Sequence, residues 1–288
     1  MTASATPFRQ AAIVKSCAWA ALLGVALGCS AVRADEPVVQ ARAKVKALDV
    51  KADGKWHGDA AASLSYASGN TRNSSLAFSI DAAKRSDEHS KLALYAQALG
   101  SRAESTANGV TTTSTTANQW MGGARYDHDF TDTTLGFAAL DLTHDRIQLL
   151  SVRSVTSVGA GYHLIHTDDN KWDVLGGVSY RDDRYNDPGV VVGNQLRTRF
   201  STAQLLVGEE SSSKLTPSTT LKQRLIVTPN LNRDHGALVT FDGSLVVAIN
   251  DTLSLKITVQ DRYNSLSQPP IMKNAFLLLT GLNVKFDG

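Results

Sequence analysis

The chain has 288 residues but few side-chain groupings from which a reaction could be built. Its seven histidines offer two metal-ligand clusters, Asp127-His128-Asp129 and His144-Asp145. On an extended strand adjacent side chains point to opposite faces, so His128 cannot share a metal with its neighbours. Neither a Gly-x-Ser-x-Gly elbow nor a His-Glu-x-x-His pair occurs. A membrane-embedded lipid hydrolase is therefore a remote reading, with no particular serine to support it. Gly122-Gly123 and Gly176-Gly177 lie within strand-like segments. They read as bends or close packing rather than as a phosphate-binding loop. No catalytic, metal or cofactor-binding residue is assigned, and no cofactor is implied.

Charge is what the spacing does organise. Where apolar and polar residues alternate, the polar face carries Asp59, Asp81, Asp127, Asp141 and Asp242, together with Arg125, Arg181, Lys222, Arg224, Lys256 and Arg262. Acids dominate the first half of the chain and bases the second. In a closed barrel the two halves would face one another. Paired across a narrow lumen, these groups would close it. Left apart, they would set up a transverse field that orients small polar solutes or ions.

The elements that must position these charges are strands. Leu253, Leu255, Ile257 and Val259 share one face, opposite Ser254, Lys256, Thr258, Gln260 and Arg262. A helix would scatter the same charges around its axis. Val239, Phe241, Leu245, Val247 and Ile249 form a second apolar face, and Leu76, Phe78, Ile80 and Ala82 a third. About twelve such segments follow one another: 56–67, 74–85, 91–101, 119–129, 134–144, 153–165, 172–182, 196–208, 218–228, 238–249, 253–263 and 274–286. Each is long enough to cross a bilayer as a tilted strand, which takes roughly 9–11 residues. The strand at 196–208 is irregular. Arg197 and Arg199 share parity with Leu205 and Val207, which implies a bulge or a start above the membrane.

Connection lengths sort by parity. Ser86–Ser90, Phe130–Thr133, Thr167–Lys171, Glu209–Pro217 and Asn250–Thr252 are mostly short; Arg102–Asn118, Asp145–Val152, Asp183–Gln195, Pro229–Ala237 and Asn264–Lys273 are mostly longer. Only Ser68–Asn73 departs from this order. Short turns on one side and long loops on the other mark an outer-membrane barrel. Trp56, Trp120 and Trp172 open strands, and Tyr66, Tyr126, Phe130, Tyr162, Tyr180, Tyr263 and Phe286 lie near strand ends, where aromatic girdles belong. A Lys or Arg on the lipid face at mid-membrane costs about 2–4 kcal/mol, so the aliphatic faces must point outward and the polar faces into the lumen.

Composition taken alone looks soluble: 19% charged, 42% hydrophobic, formal charge +2 and a mean hydropathy of −0.14. Alternation accounts for this, because half of each strand is apolar and half polar. The near-neutral charge gives no reason to expect a nucleic-acid partner. Residues 1–34 read as a signal peptide, with Arg9 and Lys15 ahead of the apolar stretch 18–27 and a small residue, Ala34, at the cleavage position. Cleavage there removes both cysteines, Cys17 and Cys29, and leaves 26 bases against 27 acids, a formal charge of −1. A competing reading lipidates Cys29 within Ala26-Leu27-Gly28-Cys29. Residues 35–55 follow as a periplasmic leader, and 56–288 form the barrel domain.

At the C-terminus, Thr280, Gly281, Val284 and Phe286 place a polar residue, a glycine and two spaced hydrophobics. This resembles the signal that the barrel-assembly machinery reads on a last strand. Asp287 and Gly288 beyond the aromatic are a small departure from it. Five further motifs occur in order: Tyr66-Ala-Ser-Gly-Asn-Thr71, Trp120-Met-Gly-Gly-Ala-Arg-Tyr-Asp127, Leu150-Ser-Val-Arg153, Val158-Gly-Ala-Gly-Tyr-His163 and Trp172-Asp-Val-Leu-Gly-Gly-Val-Ser-Tyr180. Over roughly residues 56–286 the series resembles the YdiY-type DUF481 family of bacterial outer-membrane proteins, often labelled salt-induced. The resemblance implies the outer membrane of a Gram-negative bacterium but supplies no substrate and no catalytic residue. The chain thus reads as an all-β, antiparallel transmembrane β-barrel, monomeric and not an enzyme, in contact with outer-membrane lipids. It is either a narrow channel for small polar solutes or ions, or a structural or envelope-stress barrel with a closed, salt-bridged lumen.

Overall fold

The computed structural model describes residues 50–67, 71–107, 110–192, 195–232, 236–267 and 273–287. The expected signal peptide, Cys17 and Cys29, and the leader up to residue 49 lie outside the described residues, as does the side chain of Tyr66. Fourteen strands are described: β1 (Trp56–Ala67), β2 (Thr71–Arg85), β3 (Ser90–Ala107), β4 (Val110–Asp129), β5 (Thr134–Asp145), β6 (Leu150–His166), β7 (Asn170–Tyr185), β8 (Val190–Val192), β9 (Gln195–Arg197), β10 (Arg199–Thr216), β11 (Thr219–Pro229), β12 (Ala237–Ala248), β13 (Leu253–Asn264) and β14 (Asn274–Asp287). Twelve of them close into one antiparallel barrel in the order β1-β14-β13-β12-β11-β10-β7-β6-β5-β4-β3-β2, and β8 and β9 form a separate hairpin.

β1 closes on β14 through pairs running from His57↔Asp287 to Ser63↔Gly281. Following the paired residues once around the sheet regains β1 about 16 residues further along, a shear that tilts the strands steeply. The chain enters β1 and leaves β14 at one rim, the terminal rim; the opposite one is the far rim.

The wall is inverted relative to a soluble protein. Leu64, Val207, Phe276 and Leu278 are more than half exposed on the outside, whereas Arg125, Arg153, Arg181 and Asp183 are at most 3% exposed inside. Lipid accepts the first set, and the second is satisfied by internal ion pairs. The fold is a transmembrane β-barrel. Two aromatic belts flank the outer apolar band. Tyr126, Phe130, Tyr162 and Trp172 stand toward the terminal rim. Trp120, Tyr180, Tyr263 and Phe276 stand toward the far rim. His144 stacks on Trp120 with ring centroids 5.9 Å apart.

Three expectations need correction. Arg102–Asn118 is not a loop: β3 runs to Ala107 and β4 starts at Val110, so Trp120 is the eleventh residue of its strand rather than the first. Thr111–Thr115 are exposed at every position, and this threonine-rich stretch continues the ladder with β3 past the apolar band, where β3 stays paired with β2 as far as Ser105. The asymmetry between the two sides is therefore carried by strand length as much as by loop length. Second, the segment 196–208 splits. Gln195–Arg197 belongs to the β8–β9 hairpin, and β10 starts only at Arg199, whose guanidinium bonds Asp182 from the outer face. Third, Glu209–Pro217 is mostly strand, since β10 continues to Thr216.

Candidate functional site

Small residues make room inside the wall for the large ones. A Cβ on Gly159 would sit 2.7 Å from the Phe137 ring, and one on Gly123 would sit 2.6 Å from the Tyr95 ring. Phe137 joins Leu135, Leu175, Leu206 and Ile226 in an apolar cluster on the inner face of β5, β7, β10 and β11. Arg125 lies over Phe137, with Cζ 4.9 Å from the ring centre.

From that surface Arg125 reaches two carboxylates, Asp127 at 2.6 Å on its own strand and Glu210 at 2.8 Å on β10. Arg224 adds a second cation to Glu210 at 2.8 Å, and Lys91 lies 3.1 Å from Asp127. Around the wall, Lys256 sits between Asp59 at 3.3 Å and Asp81 at 3.6 Å. Asp242 pairs with Arg262 on the adjacent strand. Tyr95 donates to Asp141 at 2.5 Å. Near the terminal rim, Arg85 lies 3.6 Å from Asp129. His163 lies 2.6 Å from Asp173 and 3.6 Å from Asp129.

A cavity of ≈ 170 Å³ lies among these groups, lined by Asp81, Lys91, Arg125, Glu210, Lys222 and Lys256 among others. That is space for on the order of ten waters. Toward the far rim the interior is tighter. Arg153 holds Asp183 through two contacts of 2.6 Å, Arg181 holds the same carboxylate, and Tyr185 donates to it at 2.8 Å. Leu150, Thr202 and Gln204 are fully buried as well.

A family described as a protein of unknown function, DUF481, matches residues 60–286. The chain belongs to the DUF481 family. No curated protein matches it. Among solved structures it is similar to the COG4313 outer membrane channel from Pseudomonas putida F1, at 13% identity and a TM-score of 0.48, covering 86% of this chain and 100% of that one. It is also similar to the NanC porin, at 9% identity and TM-score 0.45, covering 80% and 98%. A third likeness is to the translocator domain of the autotransporter NalP from Neisseria meningitidis, at 13% and 0.42, covering 83% and 90%.

In this DUF481 chain the eleven candidate charges all sit on inward-facing positions, but their grouping is not the one their order along the chain implies. Acids of the first half do not simply meet bases of the second. Most pairs join strands that are adjacent or one apart, as in Asp242–Arg262 and Arg153–Asp183, and so run along the wall. Arg125–Glu210 spans four strand steps. Sequence reasoning missed Glu210 because the strand was ended at residue 208. The parity of Thr202, Gln204 and Leu206 would have carried inward-facing alternation on to it. Arg153 and Asp183 were missed for a similar reason, each lying at a strand end. The expected pairing of Asp127, His128 and Asp129 on opposite faces does occur: Asp127 and Asp129 face inward, while His128 contacts Ser90 and the edge of Phe130 outside. Among the described residues no group of three His, Cys, Asp or Glu is arranged to hold a metal.

At the closing seam, Gly281 faces inward against Ser63, and Thr280, Val284 and Phe286 are exposed on the outer face. Val50, ahead of β1, packs on Ala83, Ala93, Tyr95 and Met121 inside the terminal rim.

Proposed function

We propose that this barrel is a narrow outer-membrane channel for small polar solutes or ions, in a Gram-negative bacterium, reached through a cleaved signal peptide. The observation that carries this reading is the direction of the ion pairs. Most run along the wall and leave a cavity lined by charges of both signs, where salt-bridged filling would join opposite sides throughout. Charged side chains that line a pore select ions by sign. In this reading Thr280, Gly281, Val284 and Phe286 address the last strand to the assembly machinery. The test is conductance of the refolded protein in planar bilayers. Discrete, salt-dependent current steps are expected, and a bilayer that stays sealed at all voltages would overturn the reading.

A second reading is a closed structural barrel, favoured by the fully buried Arg153–Asp183–Arg181 layer near the far rim. It predicts no conductance in the wild type and envelope weakening when the protein is deleted.

A further inference from the structure

Glu209 points out of the barrel into its apolar surface. Its neighbour Glu210 faces the lumen and holds Arg125, so strand alternation sends Glu209 to the lipid side. Its depth follows from register: on β10, Ala203 is paired with Tyr180 and Ser211 with Trp172, and Glu209 lies between them, between the two aromatic belts. Its ladder partners are Val174 and Leu225, both apolar. Trp172 donates Nε1–H to one carboxylate oxygen at 3.0 Å, and Gln223 donates its amide to the other at 3.3 Å. Two other outward carboxylates, toward the far rim, stand at or past the belt there: Asp261 opposes Phe276, and Asp182 lies beyond Tyr180, paired with Arg199.

Beyond the bonds from Trp172 and Gln223, the remaining lone pairs of this carboxylate face acyl chains, which offer no donor, and a protein surface there would satisfy them. The geometry points to the outer face of β7, β10 and β11 as the contact between two copies of this chain. Two copies in one membrane share orientation and depth. A two-fold axis along the membrane normal therefore brings Glu209 of one copy level with Gln223 and Ser211 of the other. The patch is self-complementary. A carboxylate has lone pairs beyond two hydrogen bonds, and Gln223 has a second amide N–H. Ser211 and Ser213 add hydroxyls on the same face. Gly176, beside Val207, leaves open space where a side chain would stand, and small residues let backbones approach in lipid. This dimer departs from the monomer that the sequence suggests.

The experiment is oxidative cross-linking of Ser211→Cys in native membranes, with Ala98→Cys on the distant β3 outer face as the control, both in the full chain carrying Cys17→Ser and Cys29→Ser so that export is retained and no other thiol is present. A disulfide-linked dimer from Ser211→Cys, several-fold above the control, is expected. Adding Glu209→Leu should abolish it while the folded barrel still migrates fast on an unheated gel. Gln223→Leu serves the same purpose where Glu209→Leu does not fold. Cross-linking no greater than the control, or a monomer by native mass spectrometry whether or not an amine-headgroup lipid is bound, would overturn the dimer. Conductance is not read, so this outcome is independent of the channel reading.

Discussion

Arg125 and Glu210 meet inside the barrel, Nη1 to Oε1 at 2.8 Å, from strands four steps apart in the sheet. Both side chains are buried, and each serves a second partner, Asp127 for the arginine and Arg224 for the carboxylate. This contact ties together parts of the wall a third of the circumference apart, beside the cavity. In the channel reading it couples the barrel's stability to the sign of the charge that lines the cavity.

Glu210→Gln keeps the shape and removes the charge. Arg125 and Arg224 then share a neutral amide, so the cavity becomes more positive. Reversal potentials in a salt gradient should shift toward anions. Removing one partner of a buried pair also costs about 3–5 kcal/mol, to be read from denaturant unfolding in detergent micelles. An unchanged selectivity would show that ions do not pass this point.

The opposite wall makes the opposite prediction. Lys256→Met strands Asp59 and Asp81 without the ammonium that lies 3.3 and 3.6 Å from them. Selectivity should move toward cations. The double variant with Glu210→Gln should fall between the two single ones, since Glu210 pairs with Arg125 and Arg224 whereas Lys256 pairs with Asp59 and Asp81.

How far sequence could foresee this is clear from β10. Alternation alone places Lys256 and Arg262 inside, because β13 keeps a clean period of two from Leu253 to Gln260 and Arg262 continues its polar face. Along 196–216 the period is masked twice, by Arg197 and Arg199 where β9 gives way to β10 and by adjacent Glu209 and Glu210 further on. Two neighbouring acids look like a solvated turn. Parity carried on from Thr202, Gln204 and Leu206 turns Glu210 inward and Glu209 outward, but only closure of the sheet reveals that Glu210 meets Arg125. Which charges touch is a property of register and shear, and those depend on every strand at once.

Near the far rim, Asp183 is fully buried between Arg153 and Arg181. Asp183→Asn leaves two guanidiniums without a counter-charge, and the expected loss is again about 3–5 kcal/mol. If this layer closes the barrel, the same variant should also leak current where the wild type does not. The paired measurements of unfolding and conductance therefore separate the channel from the closed barrel.

One turn gives a pH prediction. Asp87, between β2 and β3, accepts the N–H of His89 at 2.8 Å and of Ser90 at 2.6 Å, which holds its carboxyl below the usual carboxylate range. A lowered folded value means the contribution is complete above the unfolded value of about 4 and lost as pH falls through the folded one. Asp87→Ala should therefore be less stable than wild type at neutral pH, and the difference should vanish in strong acid. A difference that persists in acid would mean that the loop, not the carboxylate, is responsible.

The seam between β1 and β14 gives the sharpest steric test. A Cβ on Gly281 would lie 2.2 Å from Ser63 Oγ and 2.5 Å from the Ala62 carbonyl oxygen. The hydroxyl could turn away, but the carbonyl belongs to the closing ladder, where Ser63 is paired with Gly281 and Ala62 with Leu282. Gly281→Ala must therefore spread the two strands, breaking hydrogen bonds that nothing in lipid replaces. The folded, fast-migrating form on an unheated gel should fall several-fold. Gly176→Ala is the control, because its Cβ would meet nothing within 4 Å. It should fold as wild type does. If both variants fold equally well, closure does not depend on Gly281, and the glycine would instead act only as part of the signal read during assembly. In vitro refolding separates the two, since a steric block persists without the assembly machinery and a lost signal does not.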